Sequence, residues 1–137
     1  MYILDTDHIS LFLQNNSIVK QRISIITSEE IATTIVSVQE QTRGWLNVIN
    51  QCSNSDRVLW GYTGLSKAVQ FFNTVPVLQF DRAAYNIFLG LKSQKIRIGT
   101  QDLRIAAIAL AVGGAIVTRN QRDFGKIPGL TLENWTL

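Results

Sequence analysis

The chain is poor in the residues that build most small-protein sites. It has one cysteine, Cys52, and one histidine, His8, among 137 residues. A lone cysteine forms no internal disulfide and no thiolate cage, and a lone histidine excludes any site that needs two imidazoles. Zinc fingers and zincin-type hydrolases are thereby out. No apolar run approaches the ~20 residues that span a bilayer, so no membrane partner is expected. The opening MYILDTDHIS has no basic flank, and its apolar run stops at Asp5. A secretory leader is therefore not expected, and the cytoplasm is the expected address.

What is present supports a folded unit. With 46% hydrophobic and 17% charged residues, the chain can build a core without metal or disulfide staples, and its length suits one domain over 1–137. The net charge is +3, but it is uneven. Lys92 to Lys126 contains seven basic and two acidic residues, an excess of +5, which leaves −2 for the remainder. A clustered excess of this kind is what a surface for a polyanion needs.

Short β-rich runs alternate with helical patterns. Tyr2 to Leu4 reads as a buried strand opening onto a helix over Ile9 to Gln14, and Ile18, Arg22, Ile25 and Ile26 continue at helical spacing. The β-branched run Ile31 to Val36 reads as a second strand. Ser37-Val38-Gln39-Glu40 has the S-x-x-E form of a capping box that would launch the next helix. Val58, Tyr62, Leu65, Val69 and Phe72 mark a further helix that contains Gly61 and Gly64. Val77 to Phe80 reads as a third strand, Asp81 as the cap of a helix, and Gly99-Thr100 as the start of another that ends at Gly113-Gly114. Ala115 to Thr118 and Leu130 to Leu132 complete five strands. Strands separated by helices predict an α/β fold, with a parallel sheet of roughly five strands between two helical layers.

In such a sheet ligands bind beyond the carboxyl ends of the strands. That rule selects Asp5 and Asp7 after the first strand, Glu40 after the second, and Asn120 and Asp123 after the fourth. Asp102 opens the helix that leads into the fourth strand. Each acid has a bland reading: Asp5 or Asp7 as a helix cap, Glu40 as the end of its capping box, Asp102 as a complement to a helix dipole, and Asp123 as a solvated loop charge. Gathered together they would repel, and a hard divalent cation would relieve that repulsion. Oxygen ligands point to Mg²⁺, with Mn²⁺ as the substitute. Beside a basic surface, such an ion suggests phosphodiester hydrolysis.

These residues carry a family resemblance. YILDTDHIS, SVQEQTRGW, IGTQDLRIAAIAL and VTRNQRDFGKIPGLTLENW occur in order along the whole chain and resemble the motifs of PIN-domain ribonucleases, in particular the VapC-like toxins of toxin–antitoxin pairs. The resemblance implies a PIN-like three-layer α/β/α fold and a Mg²⁺-dependent endoribonuclease. It also implies a homodimer, and a small antitoxin that lays a peptide or helix into the active-site groove. Asp5, Glu40 and Asp102 match the family's acids and would be catalytic and hold the metal. Asn120 stands where many relatives carry a fourth acid, with Asp123 three residues on. Asn120 can hydrogen-bond but adds no charge, so one Mg²⁺ is expected, with any second ion arriving with substrate.

Arg43, Arg97, Arg104 and Arg119 are candidate RNA phosphate contacts, and the hydroxyls of Thr6 and Thr118 are candidates for positioning water. His8 reads as structural and Cys52 as a buried or partly buried bystander. Trp45, Trp60 and Trp135 read as packing in the core or a partner groove. Two other functions compete. Asp5-Thr6-Asp7 also resembles the opening of haloacid-dehalogenase-type phosphatases, although Ile9 stands where that family has Thr or Val and Glu40 would have no duty. The Asn120 departure is also compatible with a PIN-like module that binds RNA or protein without cutting.

Overall fold

The computed structural model describes residues 1–51 and 54–137; the expectation for Cys52 lies outside the described residues. Five strands form a sheet in the order β3-β2-β1-β4-β5: β1 (Tyr2–Leu4), β2 (Ile31–Thr34), β3 (Val77–Leu78), β4 (Ala115–Val117) and β5 (Thr131–Glu133). Every neighbouring pair is parallel. Parallel neighbours require crossovers, and helices supply them. α1 (Thr6–Leu13) and α2 (Ser17–Ile25) lead from β1 to β2, and α3 (Ile35–Gln51) and α4 (Ser55–Phe72) from β2 to β3. α5 (Arg82–Ser93) and α6 (Thr100–Val112) lead to β4, and the short α7 (Gln121–Phe124) to β5.

Alternation along the strands divides the core in two. Ile3 and Ile116 are buried with Ala84, Phe88 and Leu91 of α5 and with the apolar side of α6. The next residues, Leu4 and Val117, join Ile9 of α1, Phe71 of α4 and Trp135 on the other face. The α/β/α expectation holds, and Trp135 is fully buried, a core residue. No helix among the described residues is long and apolar enough to cross a membrane.

Several boundaries differ from those expected of the sequence, each for a local reason. β2 stops at Thr34, whose Oγ1 accepts the Ser37 N–H at 3.1 Å. Thr34 thus caps α3, and the β-branched Ile35 and Val36 open a helix instead of extending a strand. The expected capping box does not form: Ser37 is already in the first turn, and Glu40 lies beyond it. The first helix starts at Thr6 rather than Ile9, because the Asp5 carboxylate accepts the Thr6 N–H at 2.8 Å. The third strand is only two residues long, the fifth is displaced to Thr131–Glu133, and α7 is a helix that periodicity did not announce. Asp81 caps α5 as expected, accepting the Ala84 N–H at 3.0 Å. Gly113, at φ 68°, ends α6 in the left-handed region that glycine adopts without strain.

α3 and α4 pack as a hairpin made close by small residues. Gly61, Gly64 and Ala68 of α4 are buried at spacings of three and four. A Cβ at Gly64 would collide with the Trp45 indole, and one at Gly61 would lie 2.7 Å from Ile49 Cγ1. On an exposed helix Gly→Ala stabilises; here Gly64→Ala is expected to cost about 1–3 kcal/mol by forcing the indole aside. A urea midpoint equal to or above the unmodified chain's would show that the indole does not need that space.

Candidate active site

The strand order reverses between β1 and β4, so their carboxyl ends frame the crevice in which an open parallel sheet binds ligands. Leu4 is paired with Val117, and the next residues, Asp5 and Thr118, therefore meet. Thr118 Oγ1 donates to Asp5 Oδ2 at 2.8 Å and accepts the Asn120 N–H at 3.0 Å. Both Asp5 and Thr118 are buried.

Around this pair the structure gathers most of the acids named from the sequence. Glu40, on α3, accepts the Thr6 hydroxyl proton at Oε1, 2.7 Å away, and Thr6 Oγ1 is also 3.2 Å from Ser37 Oγ. Asn120 Nδ2 points to Asp123 Oδ2 at 3.2 Å and to Asp102 Oδ2 at 3.5 Å. Its Oδ1 accepts the Asp123 N–H at 3.3 Å, capping α7. The Thr6 and Thr118 hydroxyl protons are thus directed at carboxylates, which gives both threonines the duty of orienting acids.

Electrostatics report the crowding. Burial first, and then the Asp7 charge, push the Asp5 carboxyl from its ordinary 3.8 to about 7, against opposing hydrogen bonds from Thr118 and Thr6. Burial, followed by the charges of Glu40, Asp123 and Asp7, raises Asp102 to about 6. Asp102 therefore lies within electrostatic reach of acids from α1, α3 and α7, a convergence that packing supplies. The acids are near neighbours but not a finished cage: among the described residues no three His, Cys, Asp or Glu side chains are arranged to hold a metal ion.

Asp7 and His8 matter more than their sequence context suggests. Burial would raise Asp7, but hydrogen bonds from His8 and from the Arg119 N–H hold it below the ordinary carboxylate value. Its Oδ1 is 2.7 Å from His8 Nδ1, and its Oδ2 accepts the Arg119 N–H at 2.9 Å. The only sequence signal for this role is an acid two residues after a strand-end acid, directly followed by the single histidine.

The candidate phosphate contacts are dispersed. Arg43, Arg97 and Arg119 are exposed. Arg104 is partly buried, donates from one Nη to Gln101 Oε1 at 2.7 Å and lies over the Phe88 ring at 5.5 Å. Lys126 donates to the Arg97 carbonyl at 3.1 Å and is 3.7 Å from Asp123, which ties the basic α5–α6 loop to α7.

A groove of ≈ 360 Å³ adjoins the acids without lying over them. α1, α3 and α4 line it with Ser10, Leu13, Gln41, Trp45, Trp60, Gly64 and Lys67. It shares Ser10, Gln41, Trp45 and Trp60 with a second concavity that reaches Thr6 and Glu40. The two tryptophans stack edge to face, 5.0 Å between centroids, and Trp60 is half exposed.

The parallel sheet in this order, with carboxylates at its switch point, defines an α/β domain whose ligand crevice is acidic. No family model matches the chain. It is 25% identical to Ribonuclease VapC1 of Haemophilus influenzae over 140 aligned residues, covering 99% of this chain and 98% of that protein. A 45-residue segment is 44% identical to Ribonuclease VapC2 of Rickettsia felis, covering 33% of this chain and 34% of that one. The fold superposes with a TM-score of 0.80 and 23% identity on a chain of the VapBC2 structure from Rickettsia felis bound to a DNA fragment from their promoter, with 98% of each chain covered. The chain thus shares the fold of these VapBC structures and is similar over its whole length to a VapC ribonuclease.

The raised acids set a pH dependence. From just above the ordinary 3.8 up to about 6 for Asp102 and about 7 for Asp5, the folded chain keeps protons that the unfolded chain has released, so metal-free stability should fall as pH rises through this range and level off above it. Asp7 acts in the opposite sense, but only in acid, as pH falls through its lowered value. Melting in chelator should give a higher Tm near pH 5 than near pH 8. Asp5→Asn should flatten that slope and melt no lower than the unmodified chain at pH 8, because Thr118 can turn its proton to Asp7 Oδ2, 3.4 Å away. A Tm that climbs across this window would contradict the buried, protonated acids.

Proposed function

We propose that the chain is the toxin of a toxin–antitoxin pair, an endoribonuclease that hydrolyses RNA phosphodiester bonds with Mg²⁺, or Mn²⁺ in its place. The observation that carries this reading is the pair Asp5 and Asp102, raised to about 7 and about 6 at the sheet's switch point, in a chain alike over its whole length to a VapC ribonuclease. Raised carboxyls facing other carboxylates favour a cation, and an oxygen-only donor set suits a hard one. Mg²⁺ keeps several waters and takes few carboxylates, which suits acids that do not form a closed cage. Asp5 and Asp102 would hold the ion, with Glu40 beside them. When bound, the ion would supply charge neutralisation at the phosphate and acidify a water.

The chain's own residues do the positioning. Thr118 and the Thr6 N–H hold the Asp5 carboxylate in one orientation, and the Thr6 hydroxyl holds Glu40. Asn120 bridges Asp102 and Asp123 without adding a charge. Arg97 and Arg119, exposed on the basic stretch, are the proposed RNA phosphate contacts, with Arg43 one helical turn beyond Glu40 on α3. The phosphatase alternative loses support because both oxygens of Asp7 are engaged, with His8 and with the Arg119 N–H. A free second aspartate is what that chemistry would need.

The partner would be a small antitoxin whose apolar side chains enter the Trp45–Trp60 groove and whose chain reaches the acids at Glu40. The expected assembly of the toxin itself is a homodimer in the cytoplasm.

The reading is tested on RNA at fixed ionic strength. Asp102→Asn should abolish Mg²⁺-dependent cleavage, while RNA binding in chelator is kept or improved because one negative charge has gone. Cleavage at the unmodified rate would refute the metal mechanism, and an unmodified protein that binds RNA without cutting it would favour the binding module. Arg97→Ala and Arg119→Ala should each weaken binding to single-stranded RNA of any sequence and lower the salt slope by about 0.7, the share of one neutralised phosphate. Trp60→Ala should weaken antitoxin capture at least about tenfold, as expected for a central aromatic anchor, and leave RNA cleavage by the free chain intact.

A further inference from the structure

His8 is fully buried, and its two ring nitrogens have different partners. Nε2 lies 3.1 Å from the backbone nitrogen of Trp135, which can only donate. Nε2 is therefore the acceptor, and the proton sits on Nδ1, which donates to Asp7 Oδ1 at 2.7 Å. The other Asp7 oxygen accepts the Arg119 N–H at 2.9 Å and lies 3.4 Å from Thr118 Oγ1. Thr118 in turn holds Asp5 Oδ2 and the Asn120 N–H, and Asn120 reaches Asp102. Hydrogen bonds from the buried Trp135 through His8 and Asp7 thus reach the Arg119 N–H, and the Thr118–Asn120 backbone carries the connection on to the acids.

We propose that His8 is a positioning residue: acting through Asp7, it fixes the Thr118–Asn120 turn so that Asn120 faces Asp102 and Thr118 faces Asp5. The proposal rests on the nuclease reading only for its catalytic consequence. Hydrogen-bonding capacity leaves little choice of arrangement. Asp7 must accept from two donors, the imidazole Nδ1–H and the Arg119 N–H, and a carboxylate does so with one oxygen each. The imidazole must accept from Trp135 and donate to Asp7, which the Nδ1–H tautomer does with no group left over. The opposite tautomer would set an unprotonated Nδ1 against the Asp7 carboxylate, two acceptors with nothing between them, and an Nε2–H against the Trp135 N–H, two donors.

Substitutions separate this role from simple core packing. His8→Asn keeps a donor at the place of Nδ1 but loses the acceptor for Trp135, whereas His8→Phe loses both. Each should lower Tm, since each strands the buried Trp135 N–H. Only His8→Phe should free the turn, raising hydrogen exchange at the Arg119 amide by at least about tenfold, with His8→Asn near the unmodified chain. In RNA cleavage, His8→Phe should lower kcat about tenfold or more at unchanged KM, and His8→Asn should recover most of it. If His8→Phe does not fold, Asp7→Asn replaces it: one acceptor oxygen must then serve two donors, and Arg119 exchange should rise in the same way. Because His8 is the only histidine, its nitrogen-15 spectrum is a single imidazole, expected with the proton on Nδ1. A proton on Nε2, equal Arg119 protection in every variant, or kcat that simply follows Tm would overturn the proposal. Failure of the unmodified chain to cut RNA would count against the nuclease reading alone, since the imidazole spectrum and the Arg119 exchange decide the positioning role without it.

Discussion

A carboxylate is buried at the end of the central strand, and much of the site exists to accommodate it. Asp5 sits at the junction of β1 with β4, 7% exposed, where water contributes little to its solvation. Two protein donors, the Thr6 N–H and the Thr118 hydroxyl, hold it. They do not offset the cost of burial beside other acids, and the carboxyl remains well above its ordinary range. A carboxyl raised this far by burial and by neighbouring acids is the kind of perturbed group that marks candidate functional sites. The same bonds cap α1 and join the first strand to the fourth, so local helix geometry and the acidic centre share one side chain.

The second constraint is steric. Gly61 and Gly64 let α4 approach α3 until the Trp45 indole fills the space a side chain would take, and Trp60 stacks on its edge. That arrangement leaves aromatic surface lining a groove that ends near Glu40. The groove and the acids are thereby adjacent because one helix, α3, carries both Glu40 and Trp45, five residues apart.

The hydroxyls show what residue type leaves open. Thr6 and Thr118, beside acids in the sequence, direct their protons to Glu40 and Asp5. Ser37 and Glu40 have the spacing of a capping box, yet Thr34 makes the cap. Which acceptor a donor meets is set by packing, with a partner as many as 113 positions away.

The parallel α/β architecture was legible in the sequence because alternating β-branched runs and helical periodicities admit few topologies, and a parallel sheet places strand-end acids at one edge. Asp5, Asp7, Glu40, Asn120 and Asp123 could be selected on that basis. The tertiary structure alone decided that Asp102, delivered by a helix rather than a strand, lies within the field of Glu40, Asp123 and Asp7. It alone decided that Arg104 meets Gln101 and Phe88, and that His8, beside Asp7, reaches Trp135 across 127 positions. Periodicity records which face of an element is buried; it carries no information about which distant donor and acceptor are brought to about 3 Å, because packing between elements sets that distance.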